Sequence, residues 1–511
     1  MEVSGIKKFI SYDLGTGGVK ASLYDEELHT IAKSFIEYET FYPEPNYHEQ
    51  APASWWDGVV ESTHLLLKQT GVDPEEIACI ALSGHSLVSV PIDTAGNELL
   101  EKVPIWSDTR AEEETRELFQ TIDEISWYMM TGNGFPPACY SIFKLIWMKK
   151  HQPEVFAKTA KVLGSKDYIN YKMTGQIYMD HSYASGTGAY DLKKRRMSRE
   201  ILRAADIPET FFPTIVNSDR VIGTLLPETA EALGLSRNTK VACGGVDNAC
   251  MALGSVGRGE GRVYTSLGSS SWIAVNSKEP VLDAKKRPYV FAHIEEGMYT
   301  SAFSIFAGGS SLRWVRDNLC RDLLDTEDPY TEMTKEIEQI PAGSGGLIFN
   351  PSLAGGTSQD KTPHIQGAYI GLKLGTTRSE MIRASMEGIA MNLKMSLENL
   401  KQQVDVEKQI RFCGGGAKNP YWMQMFADIF QLTIVKTNID QDAASLGAAA
   451  IAAKAEGVLS SYDRIDDCHR IEFECTPQQE QVKIYQKWQQ VFEHVTDVLS
   501  DLGDYMYQMT K

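Results

Sequence analysis

An α/β fold of two related lobes is what this sequence predicts, and three observations predict it. The apolar run Phe9-Ile10-Ser11-Tyr12 passes through Asp13 into Gly15-Thr16-Gly17-Gly18 and leaves along Val19 to Tyr24. That is a strand, a turn of small residues and a second strand. The same layout returns where Val263 to Leu267 leads into Gly268-Ser269-Ser270-Ser271 and Trp272 to Val275 leads out. One such unit opens each half, and strand-like and helical stretches alternate between and after them, which points to a duplicated α/β architecture.

Taken in order, Ala53 to Gln69 reads as a helix, Ile77 to Leu82 as a strand, and Leu87 to Ile92 as a strand entering the turn Asp93-Thr94-Ala95-Gly96-Asn97. Ser141 to Lys150 is helical, and Lys240 to Cys243 and Gln409 to Cys413 are strand-like. Arg378 to Leu400 is the clearest helix: Ile382, Met386, Ile389, Leu393, Leu397 and Leu400 recur every three or four residues and share one face. Thr377 and Glu380 supply a capping box at its start. No Pro- or Ser-rich linker divides the chain, so the boundary falls in the glycine-rich stretch Gly254 to Gly259, giving lobes 1–256 and 257–511 with a cleft between them.

Composition narrows the function. The 511 residues carry 50 Lys+Arg against 68 Asp+Glu, a net charge of −18, which offers no continuous field for nucleic acid or an anionic membrane. No apolar run approaches the ~20 residues of a membrane helix, and the N-terminus lacks the pattern of a secretory leader. The eight cysteines show no C-x-x-C spacing and read as thiols of a reducing cytoplasm, not as a disulfide framework or a zinc site.

Four glycine-rich segments could approach phosphate. In Asp13-Leu14-Gly15-Thr16-Gly17-Gly18-Val19-Lys20, turn amides and the Thr16 hydroxyl could hold phosphate oxygens while Asp13 faces a hydrated cation; a plain hairpin turn is the competing reading. Gly268-Ser269-Ser270 offers the same equipment, Gly308-Gly309-Ser310-Ser311 opens a helix, and Gly414-Gly415-Gly416-Ala417-Lys418-Asn419 follows a strand. None is a Walker loop. Asp247, within Gly244-Gly245-Val246-Asp247-Asn248, could sit at a cleft and accept a proton from a sugar hydroxyl, although Asp-Asn as a helix cap is the better reading of that pattern alone.

Together these residues resemble the FGGY family of carbohydrate kinases, and its xylulokinase-like members in particular. The resemblance covers essentially the whole chain. Gly367, Tyr369, Gly371, Leu372, Glu380, Met381, Ala384, Ser385, Met386 and Glu387 match one family signature; Ser141, Lys144, Leu145, Trp147, Met148, Lys150 and His151 match the other, which departs at Cys139. Asp180 to Thr187, with Asp191 beyond, also looks like a family segment. The resemblance implies two actin-like, ribonuclease-H-like domains and transfer of the ATP γ-phosphate to a small sugar with Mg²⁺. It implies Asp247 as general base and Asp13 beside the metal. Thr16, Gly17, Gly18, Lys20, Gly268, Ser269, Ser270, Gly308, Gly309, Gly414, Gly415 and Asn419 would then lie along ATP. Trp106 and Asp108, in a W-x-D-x-R segment, would lie near the sugar with His85, Ser86 and Asn248. A homodimer is a family-level expectation.

The substrate match is thinner. Where bacterial xylulokinases carry S-G-Q-M-H-G, this chain reads Ser83-Gly84-His85-Ser86-Leu87-Val88, and it lacks the Arg-Glu pair of glycerol kinases. A ketopentose such as D-xylulose is expected; ribulose, erythritol or gluconate are alternatives, as is a non-catalytic sugar- or nucleotide-responsive protein on the same scaffold. An actin-like ATPase would share the hairpins but not the signatures around Trp147 and Gly367. Lys193 to Arg196 reads as a solvated turn, Trp55 and Trp56 as core, and for His85 a hydrogen-bonded structural role competes with a functional one.

Overall fold

The structure, a computed structural model, describes residues 7–510. Residues 1–6, part of the segment read above as carrying no leader, and residue 511 lie outside them. In the first lobe β1 (Lys8–Leu14) and β2 (Gly18–Tyr24) form the predicted hairpin, and β3 (Thr30–Glu37) adds antiparallel to β2. Helix α1 (Pro52–Thr70) starts on a proline, whose missing N–H is no loss there, and ends at Gly71 in the left-handed conformation. Trp55 is buried and Trp56 half-buried, as the core reading has them. Strand β4 (Ile77–Gly84) pairs parallel with β1, and α2 (Ser141–His151), α3 (Ser165–Thr174) and α4 (His181–Ser185) follow. Strands β5 (Val221–Thr224), β6 (Lys240–Ala242) and β7 (Gly245–Val246) complete a sheet ordered β5-β6-β4-β1-β2-β3, with β7 beside β4, and α5 (Asp247–Val256) leaves it.

The second lobe repeats this plan. Strands β8 (Val263–Leu267) and β9 (Ser271–Ser277) form the second hairpin, and β10 (Tyr289–Ala292) and β11 (Tyr299–Ile305) extend it. Helices α6 (Gly309–Leu319) and α7 (Arg378–Lys401) precede β12 (Gln409–Cys413). Then come α8 (Pro420–Phe430), β13 (Thr433–Thr437), α9 (Ala443–Ala455), β14 (Ile471–Cys475) and α10 (Gln479–Met509). The sheet runs β10-β11-β9-β8-β12-β13-β14. In both lobes the hairpin's first strand is central, with antiparallel strands on one side, two parallel strands on the other and an antiparallel strand at that edge. The duplication inferred from two turns is a duplication of sheet order. The apolar stripe of α7 is buried along its whole length, each side chain worth about 1.5–3 kcal/mol of burial, and Thr377 and Glu380 make both capping-box bonds.

Three local expectations change. Only Val90–Ile92 of the expected Leu87–Ile92 strand is extended in a sheet, because Leu87 takes a positive φ of 63° that breaks the run. Asp247 is not a helix cap: Val246 holds that position and Asp247 is the first helical residue. Gly254 belongs to the last turns of α5, not to a connecting turn, which begins at Gly257. Gly254 is small for another reason. A β-carbon there would lie 1.8 Å from the Ala443 carbonyl oxygen, and one on Gly447 would lie 2.1 Å from that of Cys250, so α5 and α9 cross backbone to backbone. That crossing joins the lobes. A single apolar core also runs through both, with Tyr128 donating to the Pro288 carbonyl at 2.9 Å and Phe135 stacked on Tyr289. The cleft is therefore closed on one side by a shared core. Among the described residues no helix is long and apolar enough to cross a membrane.

Candidate active site

The parallel strands of the first lobe end together. Asp13 pairs in register with Ser83, and Gly245 with the same Ser83, so Asp13, Gly84 and Asp247 emerge side by side at the carboxyl ends of β1, β4 and β7. That edge is where open α/β sheets bind ligands. Asp13 is half-buried and accepts from the Ser83 hydroxyl at 2.8 Å. Burial raises its pKa, opposed by the nearby Lys20 charge and the Ser83 bond. Asp247 accepts through Oδ1 from the Asn248 backbone N–H (2.8 Å) and side-chain amide (3.0 Å), leaving Oδ2 without a hydrogen bond among the described residues. Burial pushes its pKa up to about 7; the Asn248 backbone bond works against this and the Asp13 charge adds to it. Across the junction, Tyr264 and Tyr289 of the second lobe lie close enough to feel the Asp247 charge.

Around this pair the predicted residues separate into exposed and committed ones. In the first turn Gly17 is exposed with open space around it, and Thr16 accepts from the Trp106 indole through its hydroxyl at 2.9 Å. Gly18 is buried, and a β-carbon on it would meet the Ile36 carbonyl oxygen at 2.4 Å, so strand packing fixes it. Lys20 donates to the Gln441 carbonyl at 2.7 Å and sits 3.3 Å from Asp442; it ties the hairpin to the start of α9 rather than projecting freely into the cleft.

The second turn and the start of α6 form one unit. The Gly309 N–H donates to Gly268 (2.8 Å) and the Ser310 N–H to Ser269 (3.0 Å), and β-carbons on Gly308 or Gly309 would collide with Ser271 or Gly268. Ser269 and Ser270 remain exposed. Arg313, one turn into α6, donates to the Ser269 hydroxyl at 3.1 Å and brings a cation to this turn. Sequence reading missed it, although its place one turn after Gly308-Gly309 was the available signal. Gly414, at φ 93°, donates to Asp440 and lies against the Leu267 backbone, while Gly415 faces open space. Asn419 does not point a free amide at a ligand. It caps α8 by accepting from the Trp422 N–H at 3.1 Å and donates to Thr334 at 2.7 Å.

The residues expected on the sugar side differ in exposure. Trp106 is 39% exposed and available. Asp108 is 0% exposed, and its carboxylate is taken up by the Arg110 guanidinium and by the His48 and Arg110 backbone N–H groups. Arg110 in turn stacks 3.9 Å over Tyr47. Asp108 thus shapes the loop that carries Trp106. His85 is 1% exposed, its Nδ1 lies 3.1 Å from the Leu14 carbonyl oxygen, and its ring meets Trp55 edge-on; burial lowers its pKa to about 4, so it is neutral. Its Nε2 is buried and has no hydrogen-bond partner among the described residues, so one ring nitrogen is engaged and the other is not. Ser86 is buried at the same turn. Asn248 donates one side-chain amide hydrogen bond to Asp247. Lys144, known from the sequence only as part of a family match, holds two loops at once: its ammonium donates to Leu87 (3.0 Å) and Ile105 (2.5 Å), and burial lowers its pKa to about 8.

Among the described residues no three His, Cys, Asp or Glu side chains gather as a closed metal cage. A cation of the Mg²⁺ kind asks for less, since it keeps waters and takes one or two carboxylates plus substrate phosphates. The second oxygen of Asp13, with the Asp247 charge nearby, fits that requirement.

The chain matches the N-terminal domain of the FGGY family of carbohydrate kinases over residues 9–254 and the C-terminal domain over residues 263–456. A xylulose kinase of Bacillus subtilis is 31% identical, the alignment covering 99% of this chain and 98% of the relative. A gluconokinase of Bacillus licheniformis is 27% identical over 96% of each. The solved xylulose kinase of Lactobacillus acidophilus superposes with a TM-score of 0.88 at 26% identity, covering 97% of this chain and 98% of that one.

Proposed function

Because the chain belongs to the FGGY family of carbohydrate kinases, we propose that this ATP-dependent sugar kinase phosphorylates a ketopentose such as D-xylulose, with Asp247 as the base. The observation that carries the reading is the Asp247 carboxyl. It stands at the end of β7 with one oxygen unengaged and a pKa raised to about 7, so it can take a proton near neutrality and give it up to solvent afterwards. Phosphoryl transfer needs an aligned hydroxyl, a base and donors on the transferred group. Asp247 orients the acceptor hydroxyl and receives its proton. Trp106, anchored on Thr16, walls the sugar against the phosphate turn. The amides at Gly17 and the exposed hydroxyls of Ser269 and Ser270 receive phosphate oxygens, and Gly415 leaves room for the adenosine. Asp13 would hold Mg²⁺, which supplies charge neutralisation on the ATP phosphates.

The support for a ketopentose is the run of relatives named xylulose kinase; gluconate is the competing acceptor because gluconokinases align nearly as fully. We take the lobes to divide at 256/257, where α5 ends and Gly257 turns at φ 65°. We take the enzyme to be cytoplasmic, in keeping with eight free cysteines. A homodimer is part of the reading, supported by the exposed apolar stripe Ile484, Val491, Val498 and Tyr505 on α10. The test is ADP release with MgATP across ketopentoses, pentitols, erythritol, glycerol and gluconate. Turnover confined to D-xylulose or another ketopentose is expected; turnover confined to gluconate or a polyol overturns the acceptor.

A further inference from the structure

Behind the candidate site, out of reach of any substrate, lies a charged network that the transfer mechanism does not use. Lys166, Asp180 and Ser182 are each 0% exposed. The Lys166 ammonium donates to Asp167 at 2.6 Å and to the Cys243 carbonyl at 3.2 Å, and lies 3.0 Å from Asp180. Asp180 caps α4, accepting from the Ser182 N–H at 2.9 Å, from the Ser182 hydroxyl, and from the Ser218 hydroxyl at 2.9 Å. With its proton committed to Asp180, the Ser182 oxygen can only accept, and it accepts from the Val246 N–H at 2.9 Å. Asn170 adds a second bond to the Cys243 carbonyl at 2.8 Å. The network therefore grips both ends of the segment Cys243–Val246, whose next residue is Asp247. That segment needs a grip. It pairs with β4 over only two residues, and Gly244 bends it at φ 75°.

A buried ion pair is weak evidence for stability as such, because the desolvation of its charges offsets their attraction. What a buried network of this kind does supply, through its many directed hydrogen bonds, is one fixed geometry. We propose that Lys166, Asp180 and Ser182 are positioning residues that set the Asp247 carboxyl against the acceptor hydroxyl by holding the Val246 N–H and the Cys243 carbonyl. This rests on the reading of Asp247 as the base. None of the three touches substrate.

The test uses the full-length enzyme with its best sugar and MgATP, and compares Ser182→Ala, Ser182→Thr, Asp247→Asn and Thr229→Ala. Thr229 is a buried hydroxyl bonded to the Lys172 carbonyl and is a control for simple loss of stability. A displacement of the base by an ångström or less lowers kcat by about 10–100-fold. Ser182→Ala is expected to show that loss in kcat with the KM values for sugar and ATP within about twofold of the parent. Ser182→Thr, which restores the acceptor, is expected to recover most of it. Equal losses in Ser182→Ala and Thr229→Ala, each matching the fraction unfolded, or an unchanged kcat in Ser182→Ala, would overturn the proposal. If Asp247→Asn turns over normally, the reading of the base fails instead, and the two failures are told apart.

Discussion

The Asp13 carboxylate lies close enough to Asp247 to oppose its ionisation, although the strands that deliver the two are separated by β4. Under the proposed function the two acids divide the work, Asp13 serving the cation and Asp247, its pKa raised by burial and by its neighbour, serving as base. A base must be deprotonated to act, so kcat/KM should fall as pH drops through the raised pKa of Asp247, about 7. A pH–rate profile of the parent enzyme checks this, and a flat profile from pH 5 to 8 would contradict it.

Stability should move the opposite way. The folded pKa of Asp247 is raised above its ordinary value of 3.8, so the folded state binds the proton more tightly than the unfolded chain. Its contribution is favourable below pH 4 and is lost as pH rises through about 7. Asp247→Asn removes the charge and is expected to raise the melting temperature at pH 8 while abolishing transfer. Thermal unfolding of the apo protein at pH 5 and pH 8 reads this, the gain being larger at pH 8.

Asp108 and Arg110 act as one unit, since the carboxylate is enclosed by the guanidinium and by backbone donors. Asp108→Asn and Arg110→Met should raise the sugar KM by similar factors, and the double variant should cost little more than either alone. Additive effects in that double-mutant cycle would mean that Asp108 has a sugar contact of its own.

Lys144 pins the turn after β4 to the loop before Trp106 through two carbonyls. Lys144→Met leaves the Leu87 carbonyl without its donor, while the Ile105 carbonyl keeps the Asp108 backbone N–H at 3.1 Å. The expected cost is about 1–3 kcal/mol in urea unfolding, with a rise in sugar KM and little change in KM for ATP.

The crossing of α5 and α9 depends on glycine at 254, where an added methyl would meet the Ala443 carbonyl at 1.8 Å. Backbone cannot yield as a side-chain tip can. Gly254→Ala should destabilise by about 1–3 kcal/mol or more, read as a lowered melting temperature, with larger loss than Gly17→Ala, whose β-carbon meets open space.

What could be read in the sequence was local chemistry. Turns of small residues declared both hairpins, and the three-four spacing from Ile382 to Leu400 declared the longest buried helix in the second lobe. Asp247 stood out among its glycines only as a candidate: the pattern alone favoured a helix cap, and the proposed role as base came with the family resemblance. What could not be read was commitment. Lys20, Asp108 and Asn419 have the right types for ligand contact, yet partners 421, 60 and 85 residues away in sequence take up their polar atoms. Gly18 and Gly254 look like turn glycines but are small because another backbone approaches them. Arg313 escaped notice, and Lys144 was seen only as part of a family match, for the converse reason, since only the fold shows what a lone cation reaches.

The most direct test of the account is single-turnover phosphorylation of D-xylulose by the parent and by Asp247→Asn, with ATP binding measured on both. The account predicts that the variant binds ATP as the parent does and forms sugar phosphate at least about a hundredfold more slowly. Transfer at the parental rate by Asp247→Asn would contradict it.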